Sequence, residues 1–164
     1  MGSCMMKKYA VLPVLLVLAA CSAKSIAPDT PAQVDPREQE LRAVIAEAEP
    51  VVSNLLTALN AGDYTAYVRD FDDSARAAAT EGQFKIFQEE SCRGKLGLYE
   101  EGKFQVNKIE KHSVFYMIYY FVKFRNVGPR DPVLLQMKVI RTPGGLKVSG
   151  LAYRHAMLET YEHQ

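Results

Sequence analysis

Three carboxylates stand close together at Asp70, Asp72 and Asp73, a grouping that serves either an acid–base pair or a cation site. Asp72-Asp73-Ser74 runs directly into an Ala-rich stretch, however, and a carboxylate at that point reads first as a helix N-cap. Cys92 is the one thiol outside the N-terminal segment, and a lone cysteine near a helix end is more often a small buried apolar side chain than a nucleophile. His112, His155 and His163 are too scattered to suggest a metal site, and neither a CxxC nor an HExxH spacing occurs. The sequence therefore predicts no cofactor, no metal and no catalytic constellation.

Composition bounds the rest. The 164 residues are 48% hydrophobic and 24% charged with a formal net charge of +1, which is ordinary globular composition and excludes both a disordered chain and a nucleic-acid binder. Charge is uneven: residues 22–101 hold 8 basic and 15 acidic side chains, and residues 102–164 hold 10 and 4. Two halves of opposite sign that attract each other are the expectation.

The N-terminus carries an address. Lys7-Lys8 followed by the apolar run from Tyr9 to Ala20 has the pattern of an export signal, and 12 residues are too few to span a bilayer as a helix. The run ends in Leu18-Ala19-Ala20-Cys21, which resembles the lipobox of bacterial lipoproteins. That resemblance implies lipidation of the Cys21 thiol, removal of residues 1–20, and a membrane partner reached through the lipid: the periplasmic face of the outer membrane in a Gram-negative cell, or the surface of a Gram-positive one. Residues 21–35, with prolines at 28 and 31, are expected to form a tether, and residues 36–164 a single domain.

Asp35-Pro36-Arg37-Glu38 supplies an N-cap, a proline at the first helical position and an early acidic residue, so a helix starts there. Leu41, Val44, Ile45, Ala48, Val52, Leu55 and Leu59 form its apolar stripe; Pro50 is expected to kink or split it, and Gly62 to end it. A short second helix puts Tyr64, Tyr67, Val68 and Phe71 on one face, and Thr80-Glu81-Gly82-Gln83 opens a third that stops by Gly94 or Gly97. After Leu98 the period turns to two, giving strands over 103–111, 114–126, 132–141 and 146–155 joined by short turns, hence antiparallel neighbours.

The second strand is the most apolar stretch of the chain. Its even positions, Val114, Tyr116, Ile118, Tyr120, Val122 and Phe124, are read as facing the core. Phe115, Met117, Tyr119 and Phe121 then lie on the outer face, a candidate surface for a homodimer or an envelope protein.

This α+β arrangement, three helices packed on a curved four-stranded antiparallel sheet, resembles the nuclear-transport-factor-2-like superfamily. The resemblance rests on Leu55 to Tyr64 with its Gly62-Asp63 ending, on Leu96-Gly97 before the first strand, and on the closing Gly145-Leu146-Lys147-Val148-Ser149-Gly150. It implies a conical cavity. Enzymes of that superfamily place a carboxylate and a phenol there, so Tyr116 and Tyr120, with Asp70, Asp72 or His155 as partners, become ligand-binding candidates. The expected function is a lipid-anchored envelope protein whose domain binds a small ligand or a protein without catalysis; an isomerase- or dehydratase-like enzyme and a structural subunit of an envelope complex are the alternatives.

Overall fold

The computed structural model describes residues 35–158. The signal segment, Cys21, the tether up to residue 34, and residues 159–164 with His163 lie outside them.

Helix α1 (Pro36–Ala61) begins where the Asp35 carboxylate accepts the Arg37 N–H, with Pro36 occupying a position whose N–H would be unpaired anyway. It runs unsplit through Pro50. Its core stripe is Val44, Ala48, Val52, Leu55, Leu56, Ala58 and Leu59, whereas Leu41 and Ile45, assigned to that stripe from spacing, are half-buried at its margin. Gly62 closes it with φ 74°, the left-handed conformation, and returns its N–H to the Ala58 carbonyl.

The remaining helical part divides differently from the expected two helices. Asp63 caps a single turn, α2 (Tyr64–Tyr67); Asp72 caps α3 (Asp73–Ala78); and the Thr80–Gln83 capping box opens α4 (Glu81–Ile86). Without a break, α4 continues as ten residues of π-helix, Phe87–Leu96, which passes through Gly94 and stops at Gly97. Among the described residues, four helical segments thus precede the sheet instead of three. The Asp72–Ser74 signal, read as a cap, starts a short helix of its own.

The sheet is a four-stranded antiparallel meander in the order β1-β2-β3-β4. Its strands are β1 (Tyr99–Lys111), β2 (Tyr116–Phe124), β3 (Val133–Thr142) and β4 (Gly145–Arg154). Two departures from expectation matter. β1 starts four residues early, ahead of a bulge, and β2 starts two residues late, which leaves Val114 on an exposed turn at 77% exposure instead of in the core.

From Tyr116 onward the predicted parity holds, with Ile118, Tyr120, Val122 and Phe124 fully buried and their odd neighbours half-exposed. Val133, Leu135, Met137 and Val139 continue the inner face on β3. An extra residue at Ser149, between the Lys138–Gly150 and Val139–Val148 pairs, switches the inward parity of β4 from Leu146 and Val148 to Leu151 and Tyr153 and bends the sheet. The outer edge of β4 is closed by a parallel bridge from Phe71 to Val148, with the Val148 N–H donating to the Asp70 carbonyl at 2.9 Å and the Asp72 N–H to the Val148 carbonyl at 2.9 Å. Ala156–Leu158 forms a 3-10 turn that buries Leu158.

Candidate functional site

Tyr116 begins β2 at the foot of α1, where its hydroxyl donates to Glu40 at 2.5 Å and the Lys111 ammonium meets the same carboxylate at 2.7 and 2.8 Å. One turn-pair further along α1, Glu47 holds Arg141 of β3 at 3.0 and 3.1 Å. Glu40 and Glu47 are seven residues apart and flank Val44 and Ala48, so the helix period that buries the stripe also lays both carboxylates along the sheet.

A phenol, a carboxylate and an ammonium in mutual contact are the parts of an acid–base site, so the direction of each pKa decides the reading. Hydrogen bonds from Lys111 and then Tyr116 hold the Glu40 carboxylate below its ordinary 4.5. The same contact with Glu40 pushes the Tyr116 hydroxyl up, and the Lys111 ammonium is raised as well, again through Glu40 first. A general base working near neutrality needs the opposite shift in its carboxylate. The triad is an ion-pair clamp between α1 and the sheet.

The other candidates end on separate partners. Tyr120 is fully buried, rests edge-on against Phe104 with ring centroids 5.8 Å apart, and its hydroxyl has no hydrogen-bond partner among the described residues; burial raises its pKa far above the usual tyrosine value. The Asp70 carboxylate accepts from Asn54 Nδ2 at 3.2 Å and Arg69 at 3.3 Å, and its backbone secures β4. Asp72 is occupied as a cap, accepting the Ala75 N–H at 2.7 Å, the contact that chiefly lowers its pKa. His155 Nε2 lies 3.2 Å from the Asp131 carboxylate and its Nδ1 accepts the Met157 N–H at 3.1 Å, so it ties the β2–β3 loop to the end of β4. The structure does not bring Tyr116, Tyr120, Asp70 and His155 together.

Nor is there room between them. Ile118, Tyr120, Val122, Phe124, Leu135 and Met137 from the sheet meet Val44, Val52 and Leu56 from α1, each with 0% exposure, so no water-sized void opens onto any of them. Cys92 is buried in the same core and burial pushes its thiol up to about 12, which keeps it protonated. Among the described residues no group of three or more His, Cys, Asp or Glu could hold a metal ion.

Phe115, Met117, Tyr119 and Phe121 are half-exposed, on the side of the sheet away from α1. Phe115 is stacked on His112 at 4.3 Å with the Lys138 ammonium 4.6 Å from its ring, and Tyr119 donates to Glu110 at 2.9 Å. Opposite Phe121 stand Gln105 on β1 and Leu134 on β3. The face is apolar at its centre, with Lys138 and the Lys108–Glu110 pair beside it.

Residues that hold the assembly together were missed because they are ordinary polar types with no motif. Glu40 is one; Asn54, which donates to the Ala66 carbonyl at 2.8 Å, and Asn60, which binds the backbone of Tyr99, are others. Only the position of Glu40 beside the stripe signalled it.

The clamp carries a pH prediction. Glu40, Asp72 and Glu110 all have lowered folded-state pKa values, Glu110 chiefly through Lys108 and then Tyr119. Stability from such groups is present above the unfolded-state value and is lost as pH falls through the folded one. The thermal midpoint should therefore fall between about pH 5 and about pH 3, with a shallower fall in Glu40→Gln; calorimetry across that range checks it, and an unchanged slope in the variant would remove Glu40 from the account.

No protein-family model matches the chain, and no curated protein matches it. Among solved structures, an NTF2-like protein of unknown function from Shewanella baltica OS155 is similar at 12% identity and a TM-score of 0.45, over 73% of this chain and 96% of that one. A domain of unknown function with a cystatin-like fold from Nostoc punctiforme PCC 73102 is similar at 14% identity and a TM-score of 0.43, over 72% and 76%.

Proposed function

We propose that the chain is a lipid-anchored protein of the bacterial cell envelope whose α+β domain, of the nuclear-transport-factor-2-like kind, binds a partner and performs no catalysis. The observation that carries the second half is the inner face: every polar group placed there as a candidate is paired off or sealed, and the space a substrate needs is filled. The half-exposed Phe115, Met117, Tyr119 and Phe121 leave the outer sheet face as the contact surface for an envelope protein or a second copy. The anchor rests on Leu18 to Cys21, whose thiol would carry the lipid.

The test uses the full chain expressed with its N-terminus in a Gram-negative host. Incorporation of an alkyne fatty acid and recovery in the membrane fraction are expected, both lost in Cys21→Ser. Phe115→Asp with Tyr119→Asp should keep the label and lose the higher native mass or the envelope protein recovered with the parent. An unlabelled parent overturns the anchor. Turnover of a substrate that Tyr116→Phe or Glu40→Gln abolishes overturns the non-catalytic reading and restores the enzyme.

A further inference from the structure

β1 and β2 lose step between the Tyr99–Phe124 and Phe104–Val122 pairs: β1 advances five residues while β2 advances two, so three residues of β1 loop away from the ladder. Gly102 sits in this bulge with φ 70°, and a Cβ there would touch nothing within 4 Å, so the glycine serves the backbone and the bulge faces open space. On the opposite side rises the segment 125–132 with Pro129 and Pro132, fastened at Asp131 to the buried His155 ring.

Between the two walls lies a cleft of about 310 Å³ whose apolar surface comes from Phe104 and Phe121 on one side and Pro129 and Pro132 on the other. That volume is at the lower end of small-molecule sites. Two cations line it, Lys103 and Lys123, and no carboxylate does. Lys123 Nζ is 3.1 Å from Glu100, an ion pair that is 44% and 30% exposed and so weakly held; Lys103 is exposed and its ammonium has no partner among the described residues.

A bulge on an edge strand also discourages pairing with other strands. That duty needs no facing wall, yet here two prolines fix one opposite an apolar floor, with two lysines in the lining and Glu100, paired to Lys123, just outside it.

We infer that this cleft is a binding site for a small organic carboxylate. Its apolar body lies on Phe104 and Phe121, and its carboxylate takes the place of Glu100 at Lys123 while engaging Lys103. The inference rests on the reading of the domain as a binding module, and it requires neither the lipid nor an outer-face partner.

The probe is 4-phenylbutyrate, with 4-phenylbutyramide as its uncharged counterpart, titrated into the ¹⁵N-labelled full chain. Saturable shifts of the Gly102, Lys103 and Gly128 amides are expected, with binding at least about tenfold weaker for the amide and for Lys103→Gln with Lys123→Gln. Both lysines are solvent-accessible, so the double variant keeps the parent spectrum elsewhere. Phe115→Asp with Tyr119→Asp should bind the probe as the parent does, which separates failure of the cleft from failure of the outer face. No saturation below about 10 mM, equal binding of anion and amide, or shifts centred elsewhere would overturn the assignment.

Discussion

Ile118→Asp leaves the chain without a cooperative unfolding transition in urea, while Tyr119→Asp, one residue along, unfolds cooperatively with a thermal midpoint within about 5 °C of the parent. Ile118 has no exposed surface and lies between Ile109 on β1 and Met137 on β3. Replacing it removes about 2 kcal/mol of apolar burial and strands a carboxylate among buried apolar side chains, which costs several kcal/mol more even if the group takes up a proton. The total reaches the lower end of what a whole domain has to spare, about 5 kcal/mol. Tyr119 points the other way, where Lys108 lies 5.9 Å from its ring centroid and can meet a new carboxylate in water. Equal damage from the two substitutions would mean that both faces of β2 are covered and would remove the outer surface proposed for binding.

That contrast was readable in the sequence because alternation is a strong signal where one side of a strand is buried and the other is half-wet. Ile118, Tyr120, Val122 and Phe124 needed nothing but a period of two. The same rule failed at Val114, since the tight turn around Ser113 ends the ladder before it, with the His112 N–H donating to the Phe115 carbonyl at 2.9 Å. Periodicity cannot see where pairing stops. It also cannot see bulges: the extra residues near Gly102 and Ser149 shift register without changing composition, and the first of them builds the cleft.

The helices were legible through their caps. Asp35, Asp63, Asp72 and Thr80 each accept the backbone N–H that their type and position foretold. The error lay in the count, because a cap marks a start and says nothing of how far the helix runs.

The partners of the candidate side chains were hidden for a different reason. Tyr116 was placed correctly on β2, but its partner, Glu40, comes from 76 positions earlier and carries no motif. The charge asymmetry between the two halves did foretell the type of contact. Lys111–Glu40 and Arg141–Glu47 join the acidic helix to the basic sheet, both with side chains 37% to 49% exposed. Pairs that open to water add little stability, so they orient α1 and leave the burial to Val44, Val52 and Leu56.

What fixes the far end of α1 is an amide, and it yields the second large effect. Asn60 donates from Nδ2 to the Tyr99 carbonyl at 2.8 Å and accepts the Tyr99 N–H on Oδ1 at 2.8 Å, so one side chain satisfies both backbone groups of the first β1 residue. Tyr99 is itself buried at 3% exposure and packs edge-on against Phe124, ring centroids 6.2 Å apart. Asn60→Ala removes both bonds and leaves a donor and an acceptor unpaired beside the core, which should cost about 2 to 4 kcal/mol at 1 to 3 for each stranded group less what water recovers. Asn60→Asp separates the two contacts: it keeps the acceptor for the Tyr99 N–H and turns a carboxylate toward the Tyr99 carbonyl, a repulsion that protonation relieves. Its urea midpoint should therefore lie well below that of the parent at pH 7 and close part of the gap near pH 4, whereas that of Asn60→Ala should keep a constant offset. If both variants unfold with the parent's midpoint, the junction of α1 with the sheet is held by burial alone and the amide is incidental.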